Sequence, residues 1–136
     1  MHTFTPTLFL RRALLLDAVA TAATGLLLAL GAGLLEKLLA IPAPLSLYAG
    51  LGLLPFAALV AWLGTRPTLS RAAVWAVIAC NLVWVLDSFA LLLSSAITPN
   101  VWGEVFIAVQ ALAVAVFAEL EYFGLRRSVR GLAPAV

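Results

Sequence analysis

The sequence predicts an all-α integral membrane protein, a four-transmembrane-helix antiparallel bundle with both termini on the cytoplasmic side. Three observations predict it. Hydrophobic residues make up 65% of the 136-residue chain and charged residues only 10%, against roughly 25% charged in a soluble domain. Four apolar runs each approach or exceed the about 20 residues that a helix needs to cross hydrocarbon. Lysines and arginines gather at alternate ends of those runs, as the positive-inside bias requires.

The first run extends from Ala13 to Leu35 behind Arg11 and Arg12. A secretory h-region spans about 7–15 residues, so a retained span is expected here. The second run, Leu45–Gly64, follows the turn signals Pro42 and Pro44. The third, Ala72–Ile97, follows Arg66-Pro67 and Ser70, and the fourth, Val101–Phe123, follows Thr98-Pro99-Asn100. Proline and asparagine break helices at such points. None of the runs alternates in segments of about ten residues, so a barrel is excluded and helices are expected. The connections are too short for a soluble domain, and residues 1–136 read as one membrane domain.

Orientation follows from the cations. Arg11, Arg12, Arg66, Arg71, Arg126, Arg127 and Arg130 fall on one side of a four-span layout, and only Lys37 falls on the other. That side is expected to be the cytoplasmic face of the inner membrane. Trp62, Trp102, Tyr48 and Tyr122 lie near span ends, where amphipathic rings favour the interface. The net charge of +2 carries no basic stripe interleaved with polar loops, which excludes a nucleic-acid partner. With one Cys80 and one His2, intramolecular disulfides, zinc clusters and paired imidazole ligands are unavailable, and no cofactor or metal is expected.

Helices in lipid associate through close backbone approach and polar contacts rather than hydrophobic drive. Thr21, Gly25, Ala29 and Gly33 recur every four residues along the first span, and Ala108, Ala111, Ala115 and Ala118 at three and four along the fourth. Both read as packing seams. Pro55 sits mid-span in the second run, beyond Gly50 and Gly52, and reads as a kink that relieves packing, with the opening of a cavity as the alternative.

Ionisable groups inside a membrane default to a functional hypothesis. Near the cytoplasmic boundary, Asp17, Glu119 and Glu121 lie within reach of Arg11, Arg12, Arg126 and Arg127, and an ion-pair belt is expected there. Asp17, Thr21 and Thr24 also share a face, so a polar track entering from that side is the alternative. Asp87 is deeper, and burying it costs about 2.5–3.5 kcal/mol. Two readings of it stand: hydrogen-bonded glue, or a titrating group in a binding site. Asn81, Gln110 and Thr24 fall near the midplane, where an Asn81–Gln110 contact is expected. Asn81, Trp84 and Ser88 share one face of the third span, with Cys80, Trp84 and Asp87 on the next. The sharper reading is an amphipathic pocket walled by Trp84 and Trp75, with Asn81, Asp87 and Gln110 as its polar points.

Catalytic signatures are missing: the sequence holds no HExxH, no glycine-rich phosphate loop and no base spaced to serve a nucleophile. Cys80 has no intramembrane histidine to activate it, and no enzyme is expected.

Leu10-Arg11-Arg12-Ala13-Leu14-Leu15-Leu16-Asp17-Ala18, Asn81-Leu82-Val83-Trp84, and Ala118-Glu119-Leu120-Glu121-Tyr122 with Arg126-Arg127 resemble small bacterial four-span inner-membrane proteins. The resemblance covers most of the chain and implies the fold and the membrane, with no particular activity. In size the chain also resembles the small multidrug exporters. Those carry an essential Glu well inside the first span, where this chain has only Asp17 near the boundary, and no site carries over.

The expected function is to bind or pass a small amphipathic or lipid-like molecule between the helices, at a site formed by Asp87, Asn81, Trp84, Gln110, Ser88 and Thr24. The competing expectation is a non-catalytic structural or accessory subunit that docks another membrane protein through its small-residue seams; a homo-oligomer is the other partner expectation.

Overall fold

A computed structural model describes residues 2–131; residue 1 and residues 132–136 of the expected domain lie outside the described residues. The elements run β1 (Thr3–Phe4), α1 (Leu8–Leu30), α2 (Ala32–Leu39), α3 (Ala43–Gly64), β2 (Leu69–Ser70), α4 (Arg71–Leu93) and α5 (Val101–Arg130). The protein is an all-α membrane bundle: α1, α3, α4 and α5 are the four described helices long and apolar enough to span a bilayer.

Helix starts follow side-chain caps. Thr7, Ser70 and Asn100 each accept a hydrogen bond from the backbone N–H three residues on, opening α1, α4 and α5. Such caps satisfy donors that have no intrahelical partner. Thr7 therefore starts the first span five residues before the expected Ala13. Its far end also differs. Gly31 interrupts the helix, its N–H bonding back to Leu27 O, and α2 continues as a separate segment. The third span stops at Leu93, because Ser94 turns out of helical backbone and its N–H closes on Ala90 and Leu91. The fourth runs past Phe123 to Arg130, where Arg127 and Arg130 sit in the last turn and complement the helix dipole. The helix α3 continues unbroken through Pro55.

The helices pack as two hairpins, α1 with α3 and α4 with α5, joined chiefly through α1 against α5. The α1–α3 seam is the closest. A Cβ placed on Gly50 would lie 2.6 Å from both Gly25 O and Ala29 N, so only hydrogen fits where these backbones cross. On α5, Ala111 and Ala118 are buried, as is Gly124 against Leu10 of α1. Gly33, expected on the first seam, instead falls in α2 and is exposed.

The core lies at the end that bears both termini. Phe4 faces Leu69 in the antiparallel pair of β1 and β2, and both join Leu10, Leu14, Val74, Val77 and Leu125 in one buried cluster. Ser128 Oγ accepts from Thr7 N–H at 2.9 Å, fastening the start of α1 to the end of α5. At the opposite end, Asn100 bonds the carbonyls of Leu38 and Leu39. By contrast, α3 and α4 hardly touch, and the candidate site lies beside that gap.

Candidate functional site

The seam spacing of α1 carries more than small residues. Leu10, Leu14, Asp17, Thr21, Gly25 and Leu28 recur at three or four residues, and all are buried. Asp17 thus points into the bundle, about 14 Å along α1 from Leu8 at 1.5 Å per residue. On α5 the same logic takes Ala111 and Ala118 on to Glu121, while Glu119 faces outward. Both inward acids have 0% exposure.

They meet at Asn81 of α4. Its Nδ2 donates to Asp17 Oδ2 at 2.8 Å and to Glu121 Oε2 at 3.1 Å. Thr21 Oγ1 donates to Asp17 Oδ1 at 2.9 Å. One amide thus ties α1, α4 and α5 together, while the Thr21 hydroxyl braces Asp17 within α1. Glu121 Oε1 is buried with no hydrogen-bond partner among the described residues.

This cluster replaces the expected ion-pair belt. Arg11 donates to the carbonyls of Gly64 and Arg66 at 3.1 and 3.0 Å, fixing the end of α3 rather than meeting Asp17. Arg126 reaches the Tyr122 hydroxyl, and Arg127 lies 4.9 Å from the Phe9 ring centroid. Arg12 and Glu119 are exposed. The physical reason is helical phase: Arg12, Arg126 and Arg127 are exposed, whereas the seam spacing turns both acids inward.

A second network lies deeper. Trp84 Nε1 donates to Gln110 Oε1 at 2.6 Å, and Gln110 Nε2 donates to Ser88 Oγ at 3.0 Å and Ile107 O at 2.8 Å. The expected Asn81–Gln110 contact is therefore absent among the described residues. Each amide takes a nearer partner, Asn81 the acids and Gln110 the indole.

The two networks border a cavity of about 310 Å³ bounded by all four long helices. This is at the small end of the roughly 300–1,000 Å³ of ligand pockets. Ala20, Thr21 and Thr24 come from α1, and Ala49, Gly52, Leu53 and Phe56 from α3. Asn81 and Trp84 come from α4, with Gln110, Val114 and Phe117 from α5. Tyr48 and Gly52 of α3, Cys80 of α4 and Ala113 of α5 line the cavity and are exposed. Exposed lining residues within three of the long helices place the opening on the side of the bundle.

A second chamber of about 180 Å³ continues toward the opposite end, sharing Thr24, Ala49, Trp84 and Gln110 with the first. It holds Asp87, Ser88 and Ser46, whose buried Oγ has no partner among the described residues. The Trp84–Gln110 bond lies on the boundary between the chambers.

Of the six residues expected at the site, Asn81, Trp84, Gln110 and Thr24 line the first chamber, while Asp87 and Ser88 line only the second. Asp87 is exposed rather than buried glue. Trp75 forms no wall of either chamber; its ring packs 5.7 Å from that of Tyr122. Sequence reasoning missed that Asp17 and Glu121 converge on Asn81. The signal was present: Asp17 lies four residues before Thr21 and Glu121 three after Ala118, extending the two small-residue seams. No cluster of three or more His, Cys, Asp or Glu side chains suited to a metal is found among the described residues.

No protein-family model, curated protein or solved structure matches this chain.

Proposed function

We propose that this four-helix bundle binds, and passes between its helices, a small amphipathic or lipid-like molecule that enters from the bilayer between α3 and α4. The observation that carries the reading is the side-opening cavity of about 310 Å³, with apolar walls and a few convergent polar side chains. Helices in lipid close where small residues let backbones meet, and the open α3–α4 gap leaves room for an occupant. The adjoining chamber supplies onward space, with Trp84 and Gln110 at the boundary.

The seven-to-one cation split supports reading the terminus-bearing end as cytoplasmic, in a bacterial inner membrane. The accessory-subunit reading stands as the alternative: Thr21, Gly25, Ala111 and Ala118 are buried inside the bundle, whereas Gly33 is exposed and Ala29, Ala108 and Ala115 are half-buried.

Native mass spectrometry after gentle purification tests the proposal. Wild type should retain a small molecule or lipid that Gly52→Phe, filling open space in the cavity, expels without loss of helicity. Identical bound mass in the two proteins would overturn it.

A further inference from the structure

From the hydrogen bonds that line the cavity we infer the chemistry of its ligand: an amphipathic molecule whose head is a protonated primary or secondary amine. This rests on the binding proposal and narrows it. The polar groups of the first chamber have spent their donors on the protein itself. The Thr21 hydroxyl donates to Asp17 and the Thr24 hydroxyl to Ala20 O. The Trp84 indole donates to Gln110, whose own amide serves Ser88 and Ile107. Asn81 gives its amide to the two acids, and its Oδ1 accepts no hydrogen bond among the described residues. What these side chains still offer is lone pairs.

The uncommitted donors are the Tyr48 hydroxyl at the exposed rim and the Cys80 thiol, a weak donor. No lysine or arginine lines the chamber. An ammonium head carries donors and no lone pair, so it complements such a lining. A carboxylate or phosphate would set its lone pairs against those of the wall, in a medium where repulsion is poorly screened. Trp84, Phe56 and Phe117 line the same chamber, and aromatic faces attract a cation.

Asp17 and Glu121 act as positioning residues. By accepting both amide contacts they set the orientation of Asn81 and leave its carbonyl free. An amide between two neutral amides has no such preference and turns either end to the cavity.

Binding to the purified protein in nanodiscs, measured by calorimetry against empty nanodiscs, tests this with three probes of one skeleton: phenethylammonium, phenethyltrimethylammonium and 3-phenylpropanoate. Phenethylammonium should bind roughly tenfold or more tighter than the trimethyl analogue, which lacks donors, and the carboxylate should be weakest. Equal binding of the two cations, or carboxylate binding that matches the amine, overturns the amine assignment while leaving the cavity proposal standing. Binding of none of the three overturns the assignment. The cavity proposal then stands or falls separately, on the bound mass retained by wild type but not Gly52→Phe. The Asp17→Asn/Glu121→Gln pair, or Glu121→Gln alone should the pair not fold, should shrink the amine-to-carboxylate preference several-fold. An unchanged preference in a folded variant overturns the positioning role.

Discussion

Two glycines two residues apart on α3 have opposite surroundings. Gly50 faces α1, where an added Cβ would strike the backbone of Gly25 and Ala29 at 2.6 Å; Gly52 faces the cavity, where an added Cβ meets nothing within 4 Å. One helix thus has a closed face and an open face. In hydrocarbon the apolar side chains of α3 and α4 gain nothing by leaving lipid for one another. Helices close where small residues let backbones touch, as along Gly25 and Gly50. They stay apart where bulky groups such as Tyr48, Phe56 and Trp84 flank the gap. The difference teaches that a glycine on one helix closes a seam only where the facing helix also carries a small residue, as Gly25 does for Gly50.

The comparison can be broken most sharply at Gly50. Gly50→Ala should cost about 3 kcal/mol, since overpacking here can be relieved only by moving one helix off the other; reversible unfolding in mixed detergent micelles measures it. A loss below about 1 kcal/mol would mean that the seam is loose. Next in size, Asn81→Leu should cost about 2 kcal/mol by the same assay, because two fully buried acids lose their shared donor. Trp84→Phe removes the bond to Gln110 and should cost about 1 kcal/mol. It should also quicken exchange of a bound fluorescent amphiphile between the two chambers, read by stopped flow. The smallest effect has the opposite sign. Gly52→Ala should raise stability by about 0.5 kcal/mol, because it removes glycine's backbone entropy from a helix interior and meets no neighbour. A cost as large as that at Gly50 would show that α3 and α4 are closed together in the membrane.

The acids illustrate how far the sequence could be read. Asp17 and Glu121 stand close to arginines along the chain, and proximity suggested ion pairs. Helical phase decided otherwise: Asp17 shares the face of Leu14 and Thr21, and Glu121 that of Ala118 and Leu125. That phase was present in the spacing, yet nothing in it says that both acids reach one amide on a third helix. Asp87 errs in the other direction. Its depth along α4 was readable, but its exposure was not. Asn81, Trp84 and Gln110 were identified as polar points of a cavity, though with different partners from those expected.

By itself the sequence determined the four spans, the seams along α1 and α5 and the gathering of cations at alternate span ends. Each is a property of one segment set against its solvent: run length against bilayer thickness, spacing against helical pitch, charge against interface. Only the tertiary structure decided which seams face one another, that α3 and α4 remain apart, and that Asn81 serves two acids. Those are relations between helices distant in the chain. Their packing rests on contacts of a few ångströms, which hydropathy and periodicity do not encode.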